Sequence, residues 1–381
     1  MGRTAGEVNK NRERSYYDYS LLFLTLFLVC FGLIMIYSTS SYNALRKYGD
    51  AKHYFNRQAL LSGLGILIML FVSRMDYRLL FKKIPIIRFR TATVLYFVCI
   101  LLQTYVIVFG EERYGAKRWL EIGPLSFQPS ELTKIAVILF TAFIINLHRE
   151  RLDKFTGFLR VSFFIAPLIG LVIVEDFSTG LVLVVVMVSM CFVASKKKAY
   201  FIISGLLILG LGVGFILLAS FRSSRVLAWI NVESDPLGYQ ILQGLYAIAS
   251  GGVFGKGLGE SMQKLGFIPE SHNDMIFSVI CEELGLFGAV SLILIFILLI
   301  WRIFVIAINA KDLYGGLIAA GILSHIAVQV LINIAVVTNS IPSTGIPLPF
   351  ISYGGTSAVV LLIEIGIVLS ISNQIKISRP M

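Results

Sequence analysis

"YSLLFLTLFLVCFGLIMIYST", residues 19–39, runs 21 positions without one charged side chain. About 20 consecutive apolar residues are what a helix needs to cross the hydrocarbon core of a bilayer. The run is too long for the apolar region of a cleavable signal, and no A-x-A site follows it, so it is expected to stay as a membrane span. The same pattern recurs along the chain. Ten spans are predicted, at about 18–39, 58–73, 91–109, 132–147, 161–174, 178–194, 200–219, 275–301, 314–337 and 353–373. Composition agrees: 57% of the 381 residues are hydrophobic and only 14% charged, whereas soluble domains carry about a quarter charged residues. The expected fold is an all-α polytopic membrane protein with ten transmembrane helices. Residues 1–15 and 376–381 form its tails, 16–375 its membrane domain, and 220–274 a long extracytoplasmic loop between spans 7 and 8.

The net charge of +11 raises the question of nucleic acid, and position answers it. With the N-terminus inside, the inner segments hold 21 of the 33 Lys and Arg and the outer segments 11. That bias is the positive-inside rule, so both termini are expected in the cytoplasm and the surplus charge on membrane lipids, with no nucleic-acid partner. The four cysteines fall in or beside apolar runs and form neither a disulfide framework nor a C-x-x-C site. The four histidines are scattered, which argues against zinc; a loosely held Mg²⁺ or Mn²⁺ on carboxylates stays open. No G-x-S-x-G elbow is present, which disfavours a serine hydrolase.

The outer segments carry seven of the ten prolines, and proline fixes φ and stops helices, so these loops are shaped. In the longest, "YQILQGLYAIAS" (239–250) places Ile241, Leu245, Ile248 and Ala249 on one helical face. Four polar constellations stand out. In "IPESHNDMIFSVICEEL" (268–284), Asp274 leads into span 8. It fits two roles: N3 of a capping box begun by Ser271, or a functional acid at the membrane boundary. Glu282, rotated by about 80° and deeper, and Glu283, on the opposite side, do not pair with it and read as buried polar anchors between helices. In "RWLEIGPLSFQPSELTK" (118–134), Ser130 reads as an N-cap. Glu131 and Lys134 share a face there, either as a stabilising ion pair or as the lining of a polar cavity. Arg118 and Trp119 suit an interfacial anchor or a phosphate contact. "SGGVFGKGLGE" (250–260) could cradle a phosphate with its glycine amides and Lys256, or form a re-entrant turn; it lacks the GK[ST] of a P-loop. "STGIPLPFISYGGTS" (343–357) reads as a rigid lid, from which Ser352 and Tyr353 could face a substrate.

Taken in order, "AKRWLEIGPLSFQPSELTK", "DPLGYQ", "SGGVFGKGLG", "IPESHNDMIFSVICEELGLFG" and "STGIPLPFISYGGTS" resemble the SEDS family (shape, elongation, division and sporulation: FtsW, RodA, SpoVE). The resemblance runs from the first span to the last, and "VTNSIPSTGIPLPFISYGGTS" is closer to the FtsW division branch than to RodA. It implies a peptidoglycan glycosyltransferase. Such enzymes join lipid II units by β-1,4 bonds at the outer face of the bacterial cytoplasmic membrane, for division or elongation. The implied partners are a class B penicillin-binding protein transpeptidase and other divisome or elongasome proteins. Carried over residue by residue, the resemblance makes Asp274 the catalytic acid. It places Glu131, Lys134, Arg118, Trp119 and the segment Ser250 to Gly259, with Gly251, Gly252 and Lys256, at the family's other motif positions; these residues, with His272 and Ser352, are the substrate-binding candidates. One departure is "VEDFSTG" (174–180), which lacks the family's proline but keeps Asp176 and Thr179. The chemistry permits Asp274 to take a proton from an acceptor sugar hydroxyl, with Lys134, Arg118 and the glycine amides offsetting charge on the departing pyrophosphate. A lipid II flippase and a non-catalytic scaffold are the competing functions.

Overall fold

A computed structural model of the chain describes residues 14–82, 90–113, 116–122, 125–199, 201, 205 and 220–377. Among these, nine helices are long and apolar enough to cross a membrane. They are α1 (Tyr19–Tyr48), α2 (His53–Arg74), α3 (Thr91–Phe109), α4 (Pro129–Leu147), α5 (Phe155–Glu175), α6 (Phe177–Ala194), α9 (Ile276–Ile308), α10 (Leu313–Val337) and α11 (Gly355–Asn373). Two shorter helices, α7 (Ser220–Ile230) and α8 (Tyr239–Gly251), belong to the long segment that precedes α9. The protein is a helical, multi-pass membrane protein. The seventh predicted span, 200–219, lies outside the described residues except for positions 201 and 205.

Local chemistry sets the helix ends. Asp18 caps α1, its Oδ1 accepting from the Leu21 amide at 2.9 Å, and Gly49 closes that helix in the left-handed region at φ 71°. Asp312 caps α10 through the Gly315 amide at 2.8 Å. Asp176 alone separates α5 from α6, accepting from the amides of Ser178 (3.1 Å) and Thr179 (3.2 Å). The missing proline of 174–180 therefore leaves a one-residue corner held by a cap.

Helix α4 is enclosed by its neighbours, whereas Phe23, Phe71, Leu101, Phe163 and Phe287 on the outer helices are 67–73% exposed. Those side chains form the lipid-facing surface, because hydrocarbon is as good a solvent for them as a protein core. Helices α2 and α11 pack along each other. Gly366 lets them close: a Cβ there would stand 2.8 Å from the Met69 carbonyl.

Residues 110–131, expected as a loop, hold a small antiparallel sheet of β2 (Glu111–Arg113), β3 (Ala116–Ile122) and β4 (Leu125–Phe127), with β3 in the middle. At the other end of the molecule, β1 (Arg14–Ser15) pairs with β5 (Lys376–Ile377), Arg14 opposite Ile377. Arg302 joins this clasp through Asp18 Oδ2 at 2.6 Å.

Candidate active site

Asp274 lies in a turn one residue before the N-cap of α9, half-buried. The capping box, one of the two roles open to Asp274, does not form. The helix starts at Ile276 after Met275, with no side-chain cap. The Ser271 hydroxyl instead donates to the Thr39 carbonyl at 3.1 Å, a contact across 232 positions of sequence. Freed from capping, the Asp274 carboxylate accepts from Gln240 Nε2 of α8 through Oδ1 at 3.3 Å.

The turn carrying it is pinned through three successive carbonyls. His272 O accepts from the Tyr353 amide at 2.9 Å, Asn273 O from the Ser352 hydroxyl at 2.7 Å, and Asp274 O from Asn333 Nδ2 at 2.8 Å. Asn333 also donates to Ile346 O at 2.9 Å, and the Leu348 amide donates to Ser352 Oγ at 2.8 Å. The segment after α10 and the turn before α9 are thus one hydrogen-bonded unit. Ser352 works as its clamp.

Burial raises the Asp274 carboxyl to about 6; the nearby Glu270 charge adds to the rise, while Gln240 and Arg225 oppose it. A carboxyl at that value is ionised at neutral pH yet basic enough to take a proton in a transition state. His272 is buried, its ring 4.5 Å from Tyr54 and 5.5 Å from Tyr353 by centroid. Burial depresses its pKa against the pull of Glu270, whose carboxylate lies 3.6 Å from Nε2. Burial thus favours the neutral imidazole, which packs against rings as a wall of the site.

The glycine-rich segment is tied to α9 below this turn. Helix α9 breaks at Gly285, which adopts φ 68°, ψ −168°, a conformation open only to glycine. The break exposes carbonyls, and the glycine-rich segment covers them. The Lys256 and Gly257 amides donate to Glu282 O and Glu283 O, each at 3.0 Å. In return the Leu286 amide reaches Gly252 O at 2.9 Å. Lys256 Nζ sits 2.6 Å from Glu282 Oε1, which Ser250 Oγ also reaches at 3.2 Å. Gly251 is pressed onto the Cys281 carbonyl, with no room for a Cβ. Glu283 takes Lys264 Nζ and Ser38 Oγ, both at 2.7 Å. The amides of Gly255, Lys256 and Gly257 and the lysine, which the sequence offered to a phosphate, are engaged here with the chain itself. The buried residues of α8 are Ile241, Gly244, Ala247 and Gly251, where small side chains let the helix lie against Met275 and Ser278; Leu245 and Ile248, on the apolar face read from the sequence, are partly buried against the core.

Arg118 projects from β3 to Asp176 Oδ2 at 3.2 Å and donates through Nε to Glu175 O at 2.9 Å. Trp119, next along the strand and so on its other face, lines an open groove with Leu102, Tyr105 and Phe109 of α3. Helix α4 starts with Pro129 at its first turn and Gln128 as N-cap. The expected Ser130 cap is absent, and that buried hydroxyl has no protein partner. Glu131 and Lys134 do meet, Oε1 to Nζ at 2.8 Å, both almost wholly buried. Asp274, His272 and Ser352 therefore share one unit. Glu131–Lys134, Arg118–Asp176 and Ser250–Lys256–Glu282 are separate pairings.

Sequence reading missed a stripe on α10. His325, Gln329 and Asn333, four residues apart and so on one helical face, are all buried. His325 Nδ1 lies 2.8 Å from Glu364 Oε2 of α11. Polar residues at that spacing within an apolar run were the available signal. Among the described residues no three His, Cys, Asp or Glu converge on a metal site.

The comparisons with known proteins agree with one another. The profile of a family described as "Cell cycle protein" (FtsW, RodA, SpoVE) matches residues 19–377. Stage V sporulation protein E of Bacillus subtilis is 39% identical over 363 residues, covering 93% of this chain and 97% of that one. The probable peptidoglycan glycosyltransferase FtsW of the same organism is 37% identical over 383 residues, covering 95% and 92%. SpoVE and FtsW sequences thus stand nearly level as relatives. Among solved structures, a chain from a peptidoglycan synthase complex superposes with TM-score 0.78 at 28% identity, covering 94% of this chain and 98% of that one. Thermus thermophilus RodA does so at 0.68 and 27%, covering 94% and 97%. Five motifs in order, the helical architecture and these matches have one meaning: the chain belongs to the FtsW/RodA/SpoVE family of cell cycle proteins.

Proposed function

We propose that this protein is a peptidoglycan glycosyltransferase that joins lipid II units into β-1,4-linked glycan at the outer face of the bacterial cytoplasmic membrane, both termini being cytoplasmic. The observation that carries the reading is the Asp274 carboxylate. Its backbone is fixed by Asn333, its Oδ1 by Gln240, and its basicity is raised by burial. The acceptor hydroxyl has a pKa far above 7 and needs a base as it attacks. Asp274 takes that proton through Oδ2. The new bond forms at C1 of the donor sugar, and the C1–oxygen bond to the lipid pyrophosphate breaks with inversion. The proton then passes to solvent. Preorganisation matters here because a carboxylate already held in place loses little entropy on reaching the transition state.

The homologous peptidoglycan synthase complex supports a partner, a class B penicillin-binding protein that cross-links the new strands, within the division or elongation machinery. Purified protein with that transpeptidase, given lipid II, tests the activity: labelled glycan chains are the expected product. Proteoliposomes loaded with labelled lipid II separate it from transport, since flipping without polymer would contradict the proposal.

A further inference from the structure

Beside Asp274 the outer loop encloses a cavity of about 180 Å³, lined by Arg225, Ala228 and Trp229 of α7, Gln240 and Ile241 of α8, and Asn339 and Ser343 beyond α10. Gln240 belongs to both places, since the amide that lines the cavity also donates to Asp274. The cavity is held open by its own contacts. Trp229 Nε1 donates to Asn339 O at 2.8 Å, and Arg225 Nη1 to Ser343 O at 3.4 Å. On a helical wheel Arg225, Ala228 and Trp229 lie within about 100° of one another, and Leu227 and Ile230 lie opposite. Those two are 54% and 65% exposed. That distribution suits a helix lying in the bilayer interface, apolar face to lipid and polar face inward. That is the level at which the phosphates of a membrane lipid sit.

The leaving group needs a cation, and Arg225 is the charged side chain that lines this cavity. We propose that the cavity under α7 seats the diphosphate of the lipid-linked donor, with Arg225 as its anchor and Gln240 as the bridge from that seat to Asp274. The assignment rests on the glycosyl-transfer reading above. A guanidinium matches phosphate oxygens in bidentate geometry. The diphosphate gains negative charge as the sugar departs, so Arg225 binds the transition state more tightly than the ground state.

The test uses the full-length protein in nanodiscs, with undecaprenyl diphosphate, undecaprenyl monophosphate, undecaprenol and inorganic pyrophosphate as probes. Wild type is expected to bind the lipid diphosphate more tightly than the other three. Arg225→Ala is expected to weaken that binding about tenfold or more, as loss of a charge-assisted pair does, with Arg225→Lys in between. Ala228→Phe, which fills the cavity without changing charge, is expected to block the diphosphate while leaving undecaprenol binding as it was. A melting curve for each variant identifies any that fail to fold. Diphosphate affinity in folded Arg225→Ala and Ala228→Phe within about twofold of wild type, well under one 1.4 kcal/mol decade, overturns the assignment, and polymerisation by those variants then leaves the glycosyltransferase reading standing. Wild type that binds the diphosphate yet makes no glycan sinks the reading instead.

Discussion

Asn333 holds Asp274 by its backbone, Nδ2 donating to the aspartate carbonyl at 2.8 Å and to Ile346 O at 2.9 Å. A buried residue of α10 thus fixes both the turn before α9 and the segment after α10. Asn333→Leu keeps the volume and removes both donors. The expected outcome is a fall of about 10- to 100-fold in kcat with a smaller change in KM, since the loss is of positioning. Steady-state kinetics on lipid II check it. Equal kcat would show that the clamp is dispensable.

The raised Asp274 carboxyl gives a pH signature. Its folded value is about 6, against an ordinary 3.8, so the folded state holds a proton that the unfolded chain releases. The stability from this group is present below pH 4 and is lost as pH rises to 6. Asp274→Asn is therefore expected to melt higher than wild type at pH 7.5, by on the order of 1–2 kcal/mol for a half-buried group. The gap should close near pH 4. In kinetics, kcat/KM should rise with pH to a plateau above about 6, and Gln240→Ala should move the inflection upward by removing a donor to the ionised form.

The Glu131–Lys134 pair is nearly sealed from solvent. Removing one partner strands a buried charge, which typically costs about 3–5 kcal/mol, whereas removing both costs far less. Lys134→Met and Glu131→Gln are each expected to lower the melting temperature strongly, and the double variant to recover most of the loss. Additive losses in the melting curves would contradict a coupled pair.

Gly285 carries φ 68°, and a Cβ there would stand 2.5 Å from the Val253 carbonyl. Gly285→Ala is expected to destabilise by about 2 kcal/mol or more, through loss of the seam between α9 and the glycine-rich segment. Gly63→Ala, where a Cβ meets nothing within 4 Å, is the control and should melt as wild type does. Thermal unfolding of both variants in one detergent gives the comparison.

Much of this architecture was readable as local pattern. The apolar runs gave the helices, and the i, i+3 spacing of Glu131 and Lys134 gave their contact, realised at 2.8 Å. What local pattern could not supply was competition from distant partners. Ser271 had the right position for a cap, but Thr39 O claimed its hydroxyl. The amides of 250–259 looked available to phosphate because "EELGLFG" reads as continuous helix. The break at Gly285, which turns carbonyls toward those amides, exists only once both segments are packed. In the sequence Arg225 is one basic residue among many. Its meaning depends on α7, α8 and the 339–343 segment closing around one cavity.

The most direct measurement is the rate at which purified protein, assembled with its transpeptidase, polymerises lipid II when Asp274 is replaced by Asn. That change keeps the size of the side chain and removes its ability to take a proton. The expected result is a loss of at least about 100-fold, the range of general-base catalysis, with lipid II binding and folding retained. Glycan made at the wild-type rate would contradict the account.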